Sequence, residues 1–138
     1  MAERDSDSVG QTSDEASQPE PVEILRSAYR AFNARDLDAA LELMHPRVSW
    51  QNGWRGGRVV GRRAVREYWR RQRAAISAHV EPECFAEEAG GTIAVDVHQV
   101  VHDARTGRLI SDSRVRHRYG FEDGLIVRMD VLDRPRRR

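Results

Sequence analysis

The stretch TIAVDVHQVVHDARTGRLISDSRVRHRYGFEDGLIVRMDV (Thr92–Val131) decides the fold class. Between Thr92 and His102, Ile93, Val95, Val97, Gln99 and Val101 fall on one side of the chain. Asp96, His98 and His102 fall on the other. A period of two is what a strand with two unlike faces requires. The alternation opposes the two sets but leaves open which one faces an interior. Asp103 to Gly107 reads as a turn, with Gly107 free to take a positive φ. Leu109 to Phe121 is a long strand with Val115, His117, Tyr119 and Phe121 on one face. Glu122-Asp123-Gly124 turns the chain tightly into a last strand, Leu125 to Leu132.

Upstream the period changes. From Pro21 to Ala34, Val22, Leu25, Ala28, Tyr29 and Phe32 recur every three or four residues, which predicts a helix with one apolar stripe. Pro21 suits its first turn. Asp36 is placed to cap a second helix with Leu37, Ala40, Leu41 and Met44 on its buried side, stopped by Pro46. Val48 to Trp54 reads as a short strand or extended arm. A third helix is predicted over about 62–75, with Ala64, Val65, Tyr68, Trp69 and Ile76 apolar and most other positions Arg. His79 to Glu87 alternates weakly. Helices first and antiparallel strands after make an α+β layout.

The chain has 138 residues, which suits one domain. Its first twenty residues carry six acids against one Arg and almost nothing apolar. They cannot bury enough surface to offset the entropy of ordering, so residues 1–20 are expected to be a disordered acidic tail. Residues 21–133 form the expected domain, and 134–138 (RPRRR) a basic tail. All 23 basic residues are Arg. One cysteine, Cys84, excludes an internal disulfide and a four-thiolate metal site within one chain. No apolar run approaches the length of a membrane span, and the N-terminus does not read as a signal peptide, so a cytoplasmic location is expected.

Four segments together resemble a known family. They are FNARDLDAALELMHP (Phe32–Pro46), VSWQNG (Val48–Gly53), GRVVGRRAVREYW (Gly57–Trp69) and YGFEDGLIVRMDV (Tyr119–Val131). Their order and spacing resemble the SnoaL-like domains of the nuclear transport factor 2-like superfamily, related to ketosteroid isomerase. The resemblance implies a cone: a curved antiparallel sheet wraps three N-terminal helices and encloses a pocket. It also implies a homodimer. Members include isomerases, polyketide cyclases, dehydratases and non-enzymatic binding modules, so fold alone does not assign function.

The resemblance can be tested residue by residue. Ketosteroid isomerases carry a carboxylate base just after the extended segment; here that place falls near Asn52, which cannot act as a base. Their helix-one Tyr falls near Ala28, with Tyr29 beside it. Their protonated Asp, counted back from Phe121, falls at His117. Steroid isomerase activity is therefore not expected. A different proton transfer is, with His117 as acid or base, Asn52 as orienting group and Asp130 or Asp112 as partner. Tyr29, Trp50, Trp54, Tyr68, Trp69, Val115, Tyr119, Phe121 and Met129 are the expected pocket lining.

Other constellations are weaker. Asp96 and His98 form an acid–His pair at i and i+2, equally compatible with a surface. His98 and His102 stand four strand residues apart, about 13 Å, too far to grip one ion; no metal site and no cofactor are expected. The Arg-rich stretch from Arg55 to Arg73 lacks any nucleic-acid-binding signature, so a solvated helix face is the expected reading. The expected partner is a small apolar molecule with a polar group, and neither a membrane nor a nucleic acid. The open alternatives are a binding module without catalysis, an isomerase, cyclase or dehydratase acting on an apolar carbonyl compound, and a protein-partner or nucleic-acid role through the Arg face.

Overall fold

The computed structural model describes residues 20–52 and 56–132. The two expected tails therefore lie almost entirely outside the described residues, as does Trp54. Helix α1 spans Pro21–Asn33, α2 Leu37–Glu42 and α3 Arg62–Ala75. The strands are β1 (Met44–Gln51), β2 (Arg58–Val60), β3 (Ile76–Glu87), β4 (Ile93–Asp103), β5 (Leu109–Glu122) and β6 (Leu125–Leu132). They form one curved six-stranded sheet in the order β2-β1-β6-β5-β4-β3.

The α+β architecture follows the periodicity. Pro21 opens α1, which buries Ile24, Leu25 and Tyr29. The Asp36 side chain accepts the Ala39 N–H at 3.1 Å and caps α2. Gly61 precedes α3 with φ +95° and donates its N–H to the Val48 carbonyl at 2.7 Å. That conformation is one a glycine tolerates readily. Asp123 and Gly124, both at positive φ, turn β5 into β6 as a two-residue hairpin.

Four details differ from the sequence reading. Met44 belongs to β1 and not to the second helix, because the chain leaves α2 at Leu43, whose carbonyl accepts the Ile126 N–H. Pro46 lies inside β1, where the pairing with β6 shifts register between Met44 and Ser49; an interrupted ladder tolerates a residue with no N–H. Ile76 starts β3 instead of closing α3, so β3 is three residues longer than expected. Finally, β1 runs parallel to β6 while the other neighbours are antiparallel, so the sheet is mixed. A parallel pairing between distant segments leaves no local signature, unlike a hairpin turn.

The inner face packs α1, α2 and α3 around Leu25, Val48, Val65, Val95, Val97 and Ile126. On the outer face, cross-strand ion pairs run over the sheet. Arg114 pairs with Glu83, Arg116 with Asp96, and Arg118 with Glu88. These pairs are solvent-facing, so they add register preference more than stability.

Candidate functional site

The inner face is not filled. A cavity of about 430 Å³ lies between the sheet and helices α1 and α3. Such volume suits a small organic molecule. Three aromatic rings support one wall. Trp50 on β1 meets Trp69 on α3 edge to face at 5.3 Å, and Phe32 on α1 meets the same Trp69 at 5.4 Å. Tyr68, Val115 and Met129 also face the space.

The polar end is built by Tyr29, His117 and Tyr119. Tyr119 donates to the Tyr29 hydroxyl at 2.8 Å, and the Tyr29 hydroxyl lies 2.9 Å from His117 Nδ1. The Tyr29 and His117 rings are parallel within 1°. Tyr29 is 5% exposed and Tyr119 3%. Burial raises the pKa of both phenols, and pushes His117 down to about 4. All three groups are neutral at pH 7.

The hydrogen-bond count then bears on the imidazole tautomer. Tyr119 and Tyr29 each bring one proton, and among the described residues they meet only each other and Nδ1. A bare Nδ1 accepts from Tyr29, which accepts from Tyr119, and every donor is used. A proton on Nδ1 would leave one buried donor without an acceptor, which costs about 1–3 kcal/mol. This balance favours the tautomer with the proton on Nε2. Among the described residues Nε2 has no protein partner, and His117 lines the cavity. The site thus offers one N–H donor within an apolar space.

The structure separates other residues that the sequence grouped with His117. Asp130 sits on β6 between Met129 and Val131, both on the cavity wall, so it points to the opposite face. There it takes Arg58 at 2.8 Å and Arg128 at 3.0 Å. Burial opposes its ionisation, but these two guanidiniums outweigh that and keep its pKa low. Asp112 is also outside, 2.6 Å from His98 Nε2. His98 and Asp96 each bond to β5 and not to each other. Asn52 lines a second pocket with Val59, Glu67 and Arg71. Phe121 packs against the core but does not line the cavity: two residues beyond the buried Tyr119, it pairs with the fully buried Ile126.

Several wall residues escaped the sequence reading: Gln51, Gln72, Gln99 and Ser111. The Gln51 side-chain oxygen accepts the Val131 N–H at 2.8 Å, and Gln72 donates to Tyr68 at 3.0 Å. Gln99 shares its face with Val95, Val97 and Val101, and the greater apolarity of that face was the available signal. Among the described residues, His45, Glu122 and Asp123 bring ligand-type atoms within 4.8 Å of one another. The group is satisfied without an ion: His45 Nδ1 accepts the Arg47 N–H at 3.0 Å, and Arg47 pairs with Glu122 at 3.2 Å. Much of the Arg excess is likewise engaged, with Arg66 on Asp38, Arg71 on Glu67, and Arg62 on the Met44 carbonyl. Among the described residues no helix is long and apolar enough to cross a membrane.

This architecture is that of the nuclear transport factor 2-like fold. The SnoaL-like domain family matches residues 25–129, and the chain belongs to that family. Among solved structures, a nuclear transport factor 2-like protein of unknown function from Burkholderia pseudomallei is 27% identical, with a TM-score of 0.70, over 80% of this chain and 88% of its own. TerC, co-crystallised with polyporic acid, is 23% identical, with a TM-score of 0.71 and the same coverage. RV0760c from Mycobacterium tuberculosis, in complex with estradiol-17beta-hemisuccinate, is 21% identical, with a TM-score of 0.71, over 82% and 92%. No curated protein matches the chain.

Proposed function

We propose that this domain binds a small, largely apolar molecule in the cavity and takes an acceptor atom of that molecule, such as a carbonyl oxygen, at His117 Nε2–H. The observation that carries the reading is the Tyr119–Tyr29–His117 chain, which among the described residues leaves His117 Nε2 without a protein partner beside aromatic walls. A buried donor without a partner costs free energy, and a ligand carbonyl would recover it. Among the described residues, no carboxylate and no Arg lines the cavity, so a neutral ligand fits better than an acid or an amine. TerC and RV0760c, solved with polyporic acid and estradiol-17beta-hemisuccinate, support a small organic ligand at the level of the fold, although both of those ligands carry an acidic group for which this cavity's lining has no cationic partner among the described residues.

A second reading makes the same domain an isomerase, cyclase or dehydratase acting on an apolar carbonyl compound. The Nε2–H donor favours it, because a neutral imidazole can polarise a carbonyl as charge develops on the oxygen. A pKa near 4 makes His117 a weak base, so its role in that chemistry would be as donor.

Titration of a series of neutral polycyclic ketones against the fluorescence of Trp50 and Trp69 tests the binding reading. A ketone should quench that fluorescence saturably, and the parent hydrocarbon should bind about tenfold more weakly. His117→Gln should lose most of the difference. Equal binding of ketone and hydrocarbon would sink the role given to His117.

A further inference from the structure

The Arg residues of α3 are not scattered. Arg63, Arg66, Arg70 and Arg73 recur at spacings of three, four and three, so they form one stripe about 15 Å long beside the buried Val65, Tyr68 and Trp69. Among the described residues only Arg66 of these four meets a carboxylate, that of Asp38 on α2. Arg63, Arg70 and Arg73 have no ion-pair or hydrogen-bond partner among the described residues. At its C-terminal end the stripe meets a further cation. Arg35, in the α1–α2 turn, donates to the Ala78 carbonyl at 3.0 Å and to Ser77 Oγ at 3.0 Å. Burial lowers the pKa of its guanidinium, and the nearby charge of Arg73 lowers it further. No carboxylate among the described residues pairs with either one, so an anion placed between them is attracted by both.

This end of the stripe adjoins the mouth of the cavity. Ile110 lines the cavity and is 55% exposed, which marks the mouth. Ile76 and Ala78 line the same end, for Ala78 pairs with Val101, and Val101 with Ser111 beside Ile110. Arg35 holds the Ala78 carbonyl itself, and Gln72, next to Arg73, is another wall residue.

The same chain carries a matching anion. Ahead of Glu20 stand Glu3, Asp5, Asp7, Asp14 and Glu15 against Arg4 alone. The length of α1 puts about 20 Å between Glu20 and the Arg35 turn. Asp5 and Asp7 stand fifteen and thirteen residues before Glu20, and a tether of that length has a root-mean-square span of about 20 Å. A tether whose span matches the distance holds its end at a millimolar effective concentration, which lets individually weak surface ion pairs act together. We propose that the N-terminal segment docks on this face, with Asp5 and Asp7 between Arg35, Arg70 and Arg73, and so lies across the mouth of the cavity. The docking stands on charge, spacing and reach, and does not depend on which ligand the cavity takes.

The test places a nitroxide spin label on the full isotope-labelled chain through Ser6→Cys, with the exposed Cys84 removed as Cys84→Ser. At about 0.02 M salt the label should broaden the amide signals of Arg35, Arg73, Ile76, Ala78 and Ile110 to less than half their height. At about 0.5 M salt, where the screening length falls to roughly 4 Å, those signals should recover. They should also recover in Arg70→Gln with Arg73→Gln, whose spectrum shows whether the fold is kept. Arg114→Gln with Arg118→Gln removes the same charge from the outer sheet face and should leave the broadening in place. No broadening at low salt overturns the proposal and leaves the stripe to a separate anionic partner. Broadening that survives high salt or the Arg70 and Arg73 substitutions, or that is lost with the outer-face pair, also overturns it. So does equal broadening in a mixture of spin-labelled chains with separate isotope-labelled ones, because the docked segment would then come from a second copy.

Discussion

At the scale of single residues, the site turns on how three neutral groups share two buried protons. Tyr29→Phe removes the middle member and leaves Tyr119 and His117 Nδ1 at 3.5 Å, too long for a good bond. The variant should lose about 1–2 kcal/mol of stability in urea unfolding at pH 7. His117 also predicts a pH dependence. Its imidazole takes a proton near 6.5 when unfolded and near 4 when folded. Between those values the unfolded chain binds more protons, so stability falls as pH drops through that window. The loss should reach about 3 kcal/mol below pH 4 and be absent above pH 7. Urea midpoints for the wild type and His117→Gln across pH 7 to 4.5 check this: the variant's curve should be the flatter. Counting back from Phe121 along a period of two was enough to place His117 with Val115 and Tyr119. Tyr29 was harder, because it neighbours the position the family resemblance points to. A helix turns about 100° per residue, yet the cavity is wide enough to take both Ala28 and Tyr29. Asn52 and Asp130 lie away from the cavity for different reasons. Asp130 alternates with two wall residues, and the period itself put it outside. Asn52 depended on where β1 ends, which no pattern marks.

At the scale of elements, turn chemistry was the most legible feature. Glu122-Asp123-Gly124 announced a hairpin, and Gly124 adopts φ +75° there. Gly124→Ala should therefore cost about 1–2 kcal/mol, because a Cβ is strained in the left-handed region even where space is open. Thermal melts followed by circular dichroism measure it, and an unchanged midpoint would mean the turn relaxes to another type. Element boundaries at Met44 and Ile76 were not legible. Both residues are apolar and continue the helical pattern, while a hydrogen bond from Ile126 and pairing with Asp103 draw them into the sheet. Tertiary contacts overrode a local period, as they commonly do at helix ends. The parallel β1–β6 pairing joins segments about eighty residues apart, and no local pattern announces it.

At the scale of the whole molecule, a cavity of about 430 Å³ in a chain of 138 residues is unfilled core, and close packing is the rule in proteins of this size. Stability and binding should therefore trade against each other at its wall. Val115 sits midway between His117 and the mouth, partly exposed to the space. Val115→Phe adds apolar volume where there is room for it, and should stabilise the free protein by about 1 kcal/mol. The same ring occupies the path a ligand's body would take. A neutral polycyclic ketone at a hundred times its dissociation constant should stabilise the wild type by about 2.7 kcal/mol, a rise of several degrees in the melting midpoint. In Val115→Phe the baseline should be higher and the ligand-induced rise absent. Paired melts with and without ketone read both effects at once. A higher baseline with an undiminished ligand shift would mean that the molecule binds elsewhere. A lower baseline would mean that the cavity walls are held too rigidly by Trp50, Trp69 and Phe32 to accept a further ring.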